Sequence, residues 1–204
     1  MTILNRAAAV AWVLAANSLL PAQNPAPQDK STKQVSVNQD SLTIQDFAKR
    51  VDAYVKLRKL AQAGLSVPKS GSSAAEVKQY QASLAQNIRA ARTQPKPGDV
   101  FSPPIAQLFR KVIATPFRSG DGGNIRASLR HAEPVRDLKL DVNGEYPQVA
   151  ALQSTPPTLL SDLPKLPAEL EYRIVGRELV LLDSAANLIV DLLPDALPAS
   201  QSGR

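Results

Sequence analysis

The stretch LEYRIVGRELVLLDSAANLIVD, residues 170–191, constrains the fold of this chain more than any other. Two runs rich in branched and aromatic residues flank Gly176-Arg177. A two-residue turn of type II′, with glycine supplying the positive φ, sets Val175 opposite Glu178. Counting outward, Leu170, Tyr172 and Ile174 share one face with Leu179 and Leu181. Glu171, Arg173 and Val175 share the other with Glu178, Val180 and Leu182. Arg173 then sits diagonal to Glu178, an opposite-charge pair. Asp183 to Asn187 turns the chain again, and LIVDLL, stopped by Pro194, reads as a third meander strand in preference to a short helix.

Upstream the period is helical. Ile44, Phe47, Val51, Tyr54 and Val55 recur at three- and four-residue steps between an N-cap at Ser41 and a C-cap near Gly64. Val77, Tyr80, Leu84, Ile88 and Ala91 form a second stripe that ends before Pro95 and Pro97. Ser102 ahead of Pro103-Pro104 starts a third helix, with Ile105, Leu108, Phe109, Val112 and Ile113 as its apolar face up to Pro116. SGDGGN, residues 119–124, reads as a hinge loop, and IRASLRHAE after it as a short fourth helix. Leu138, Leu140 and Val142 alternate with charges ahead of Asn143-Gly144, predicting a strand and turn. The proline-rich segment that follows is a connector with one helical turn near Leu159 to Leu163. The fold class expected is α+β: about three antiparallel N-terminal helices packed with a small C-terminal antiparallel β-meander.

The first residues, MTILNR and then an uncharged, mostly apolar run from Ala7 to Leu20, have the layout of a secretory signal peptide. Such a run spans only about 21 Å as a helix, short of the roughly 30 Å hydrocarbon core, so a permanent anchor is disfavoured. The expected organisation is a signal peptide over 1–22, a disordered tether over 23–40, a basic helical part over 41–131, an acidic connector and meander over 132–198, and a disordered tail over 199–204. Cysteine is absent, which excludes disulfides, thiolate metal sites, a cysteine nucleophile and a lipid-modified cysteine. A cysteine-free exported protein fits a bacterial periplasm. Charge is divided: 15 Lys+Arg face 5 Asp+Glu from Ser41 to His131, against 6 and 11 from Ala132 to Arg204. The two halves either attract one another or meet separate partners.

Few residues offer chemistry. His131 is the only histidine, and its neighbour Glu133 lies at i+2, off its helical face, so a helix-end or surface role is favoured over a metal or base role. SGDGGN matches no phosphate-loop pattern. Asp183 and Asp191 flank the last turn; paired carboxylates could serve acid–base work, but turn-capping by Asp183 and solvent exposure of Asp191 account for them. Lys78, Arg89, Arg92, Lys96, Arg110, Lys111 and Arg118 read first as a solvated basic face partly offset by the acidic C-terminal part, and as a binding face they would meet lipid headgroups, an anionic polymer or an envelope protein. The aromatic interleaving of nucleic-acid binders is missing, so no nucleic-acid partner is expected. Arg89, Arg92, Arg110, Lys111, Asp183 and Asn187 are the candidate interaction residues, and no catalytic residue, cofactor or metal is expected.

LPKLPAELEYRIVGRELVLLDSAANLIVDLLPDALP, together with IRAARTQPKPGDVFSPPI, resembles a group of small exported bacterial proteins to which no function is attached. The resemblance runs from about Ser41 to Pro198. It implies a bacterial source and an envelope location, and it carries no activity, cofactor or site residue. The function expected is a non-enzymatic binding or envelope interaction protein; the alternatives are a small hydrolase using carboxylates and a peripheral membrane-surface protein.

Overall fold

The computed structural model describes residues 30–118, 122–131, 138–147 and 157–199. The leader expected at 1–22 lies outside these residues, as does the tail beyond Ala199. The elements, in order, are α1 (Lys30–Gln62), α2 (Ala74–Ala91), α3 (Pro103–Arg118), α4 (Gly122–His131), α5 (Pro157–Leu160), β1 (Leu170–Val175), β2 (Glu178–Asp183) and β3 (Leu188–Leu193). The chain is thus α+β, with helices in its N-terminal part and an antiparallel sheet of order β1-β2-β3.

Three element boundaries depart from the sequence expectation. The helix α1 begins at Lys30, so the second half of the expected tether is helical and Ser41 is an interior residue. No proline or glycine interrupts 30–62, and once a helix is nucleated each further residue adds a hydrogen bond. The helix α2 starts at Ala74, after the loop expected to precede it, and Ser73 and Glu76 close a capping box there: Glu76 N–H donates to Ser73 Oγ and Ser73 N–H to Glu76 Oε2. The helix α3 continues through Pro116 to Arg118. Burial of Phe117 in the core offsets the hydrogen bond that proline cannot donate. Gly122, Gly123 and Asn124 form the first turn of α4 and are not loop.

The hairpin follows the predicted register, with Val175 opposite Glu178 and Leu170 opposite Asp183, and Gly176 takes φ 59° at the turn. One sheet face packs on the helices. Leu170, Ile174, Leu179, Leu181, Leu188 and Leu193 join Val51 and Tyr54 of α1, Leu84 and Ile88 of α2, and Ile105 and Ile113 of α3. Phe47 lies at the centre, its ring 5.0 Å from Phe109, 6.3 Å from Phe101 and 6.5 Å from Tyr172.

The other face is covered as well. Val175, Val180, Leu182, Ile189 and Leu192 pack under Tyr146, with Leu138, Leu140 and Val142 against them. The strand expected over Leu138–Val142 does not form. Its alternation is real, but the chain takes φ 62° at Asn143, and only residues 143–146 bond to the sheet, through the Glu145 to Leu188 bridge and backbone hydrogen bonds of Asn143, Gly144 and Tyr146 to the 187–189 segment. The expected Arg173–Glu178 pair is also replaced. Arg173 binds Glu171 at 2.9 Å, two residues along its own strand and on the same face.

A bulge sets the sheet's chemistry. Leu181 faces Asp191 while Leu182 faces Ile189, so β3 carries one extra residue there. Strict alternation from Leu188 would send Asp191 to the face away from the helices. The bulge turns it towards them.

Candidate functional site

Both C-terminal aspartates point into the helical half and are fully buried. Asp183 keeps the expected turn cap, accepting Ala186 N–H on Oδ1 at 3.0 Å. Its Oδ2 accepts the Tyr54 hydroxyl at 2.9 Å and Arg58 Nε at 2.7 Å. Asp191 is not solvent-exposed as expected. Oδ1 accepts Gly98 N–H at 2.9 Å and Leu192 N–H at 2.8 Å, and Oδ2 accepts Val100 and Phe101 N–H, each at 2.7 Å. Successive backbone donors form a nest around the carboxylate, its charge balanced by dipoles. Burial, and next the Asp183 carboxylate, push the Tyr54 phenol far above its ordinary range, so it stays a donor.

The basic candidates divide. Arg89 Nε donates to Asn143 carbonyl at 2.9 Å. Arg92 reaches Asn143 Oδ1 at 2.7 Å and Val190 carbonyl at 3.1 Å, and stands 5.6 Å over the Tyr54 ring. Burial draws the Arg92 pKa below its ordinary value, against the pull of Tyr54, Asp99 and Asp191. Arg92 is therefore an internal strut. Arg110 donates to Pro194 carbonyl at 2.8 Å from an exposed position, and exposed Lys111 lies 3.8 Å from Asp40. Asn187, at φ 48°, donates through Nδ2 to Tyr146 carbonyl and to Glu145 Oε1. Three of the candidate cations thus bind backbone carbonyls of the C-terminal part, while the ion pair that joins the two halves among the described residues is Arg58–Asp183.

Grooves open on the surface of the described residues. One of about 660 Å³ lies between the 65–72 loop and α2, lined mainly by Leu65, Val67, Pro68, Ala75 and Tyr80. A second, about 530 Å³, brings Arg89 and Asn187 together with Lys78, Gln81, Gln86 and Glu145. The third, about 760 Å³, is bounded by the 96–103 segment, α1, α3 and the end of β3, and gathers Arg50, Lys96 and Arg110. Lys111 belongs to none of the three.

Sequence reading missed Tyr54 and Arg58 as partners of Asp183, and Arg50 as the neighbour of Lys96 and Arg110. A signal existed for Arg58: it continues the stripe of Val51, Tyr54 and Val55, and a charge in an apolar stripe needs a buried partner. Among the described residues no cluster of His, Asp and Glu has the makings of a metal site, and no helix is long and apolar enough to cross a membrane. His131 is the last residue of α4. Glu133 lies outside the described residues. Compared with known proteins, the chain matches no family model, no curated protein and no solved structure.

Proposed function

We propose that this chain is a non-enzymatic binding protein of the bacterial envelope, exported to the periplasm by its N-terminal segment and engaging an anionic partner through the basic side of its helices. The export part rests on the Arg6 and Ala7–Leu20 pattern. The observation that carries the binding part is how charge is spent. The two aspartates that could do acid–base chemistry are fully buried, with every carboxylate oxygen already engaged by an internal donor and out of reach of solvent. By contrast, Lys78 and Lys96 line open grooves and, among the described residues, their ammonium groups meet no carboxylate. That pattern supports binding over carboxylate hydrolysis, because a general base must come within hydrogen-bond reach of substrate and both carboxylates are fully buried.

Export is tested by fractionating cells that express the full chain: release with the periplasm at a mass reduced by the leader is expected, and retention in the cytoplasm at full mass refutes it. Binding is tested by pulldown from envelope extract at low and high salt. Capture that weakens with salt is expected, because screening shortens the reach of exposed charges. No capture at either salt refutes the reading.

A further inference from the structure

We propose that the groove holding Arg50, Lys96 and Arg110 is a binding site for a phosphate-bearing ligand. The proposal rests on the binding-protein reading and adds the place and the chemistry. Three cations reach this groove from three separate parts of the chain: α1, the 96–103 segment and α3. Arg50 is held in place by Asp46 at Nε and by the Asp99 carbonyl, each at 2.8 Å, which leaves part of its guanidinium for another acceptor. Arg110 spends one N–H group on Pro194, and among the described residues no carboxylate pairs with it or with Lys96. Asp99 is the one carboxylate on the lining, and its Oδ2 is engaged by Lys96 N–H at 3.0 Å and by Arg92 at 3.7 Å. With Asp46 counted beside Arg50, three cations meet two carboxylates, so the groove keeps a net positive charge, and its cations retain unused donors.

The wall is also preorganised. Gly98 at φ 91°, Val100 and Phe101 are fixed by the buried Asp191 carboxylate, so the segment bearing Lys96 is pinned from behind. The α3 N-terminus opens at Ser102-Pro103 on the same lining; Pro103 and Pro104 offer no N–H, so it favours an anion through the helix dipole and not through donors of its first two residues. Donors arriving from three directions suit a tetrahedral oxyanion better than a planar carboxylate, which takes a two-pronged pair from one side. Pro97, Ala106 and Leu193 give an apolar part of the lining for the organic portion of a phosphate ester. The size falls in the range of small-molecule sites, roughly 300–1,000 Å³.

The test titrates full-length protein with pyrophosphate, following amide shifts. Saturable binding with shifts at Gly98 to Ser102 is expected, and Lys96→Gln with Arg110→Gln should weaken it about a hundredfold, near tenfold for each charge-assisted bond removed. Lys139→Gln, an exposed lysine elsewhere, should leave binding unchanged. Flotation with phosphatidylglycerol and phosphatidylcholine vesicles separates the sources: groove-dependent capture by the former alone marks a lipid headgroup, and pyrophosphate binding without flotation marks a soluble phosphate ester. Lys96→Gln alone removes no hydrogen bond of the side chain and keeps the test valid if the double variant is unstable. Absence of both pyrophosphate and vesicle binding, or binding unchanged in Lys96→Gln and in the double variant, overturns the proposal. If the double variant is still captured from envelope extract in a salt-sensitive way, the groove falls and the binding-protein reading stands.

Discussion

Asp191→Asn should be among the most destabilising conservative changes in this molecule. The carboxylate is fully buried and takes four backbone N–H donors, two per oxygen, at 2.7 to 2.9 Å. An asparagine keeps one oxygen and presents an NH2 group to the other two donors. Two buried donors then go unsatisfied at about 1–3 kcal/mol each, and the two remaining bonds lose their charge assistance. The sum is about 3–8 kcal/mol, a large part of the roughly 5–15 kcal/mol that holds a typical domain. For a chain of this size, at about 2–4 °C per kcal/mol, the melting temperature should fall by roughly 6–30 °C. Urea unfolding followed by circular dichroism measures the loss, and amide exchange should show the Gly98, Val100 and Phe101 protons released first. Unchanged exchange at those amides with a loss under about 1 kcal/mol would refute the reasoning, since neutral hydrogen bonds would then do the same work. One consequence reaches function: an activity lost in Asp191→Asn says nothing about catalysis until folding has been checked.

Other expectations follow from the same accounting. Ser73→Ala removes the oxygen of the α2 capping box and should cost about 1 kcal/mol in urea unfolding, with no change in m-value. Tyr54→Phe should flatten the alkaline limb of stability. In the wild type the folded phenol keeps its proton while the unfolded one releases it, so stability falls as pH rises above about 10. Glu178 works in the acid range. Burial first and Asp195 second raise its pKa, so the folded state binds the proton more readily and stability falls as pH rises from the ordinary carboxylate range through the raised value; Glu178→Gln should reduce that slope.

The sheet was legible because turn chemistry and alternation are local: Gly176-Arg177 fixes the register, and the register fixes which residues share a face. The helices were legible by period, though Lys30 to Asp40 show no apolar stripe and Pro116 suggested an earlier end for α3. Asp191 was not legible. Its direction depends on a bulge opposite Leu181 and Leu182, and nothing in LIVDLL distinguishes a bulged strand from a regular one. The strand expected at Leu138–Val142 failed for a related reason: period two shows which side chains cover a surface, not whether the backbone bonds to it. The groove escaped notice because Arg50, Lys96 and Arg110 are far apart in sequence and meet only through tertiary packing.

The two buried aspartates belong to one network. Arg58 and Tyr54 of α1 hold Asp183; the Tyr54 ring lies under the Arg92 guanidinium; and Arg92, from just past α2, reaches Asn143 and the carbonyl of Val190, next to Asp191. The sheet is thereby fastened to α1 and α2 through a chain of charges whose middle link is a cation over an aromatic face. Such contacts are worth about 0.5–2 kcal/mol, more when desolvated, and Arg92 is largely buried. A double-mutant cycle on Tyr54→Leu and Arg92→Gln tests whether the link couples the two ends. If the network acts as a unit, the pair should cost less than the sum of the singles by about 0.5–2 kcal/mol, because either change alone already removes the cation–π contact. Additivity within about 0.3 kcal/mol would mean that Asp183 and Asp191 are two independent fastenings and that the ring under Arg92 serves as packing alone.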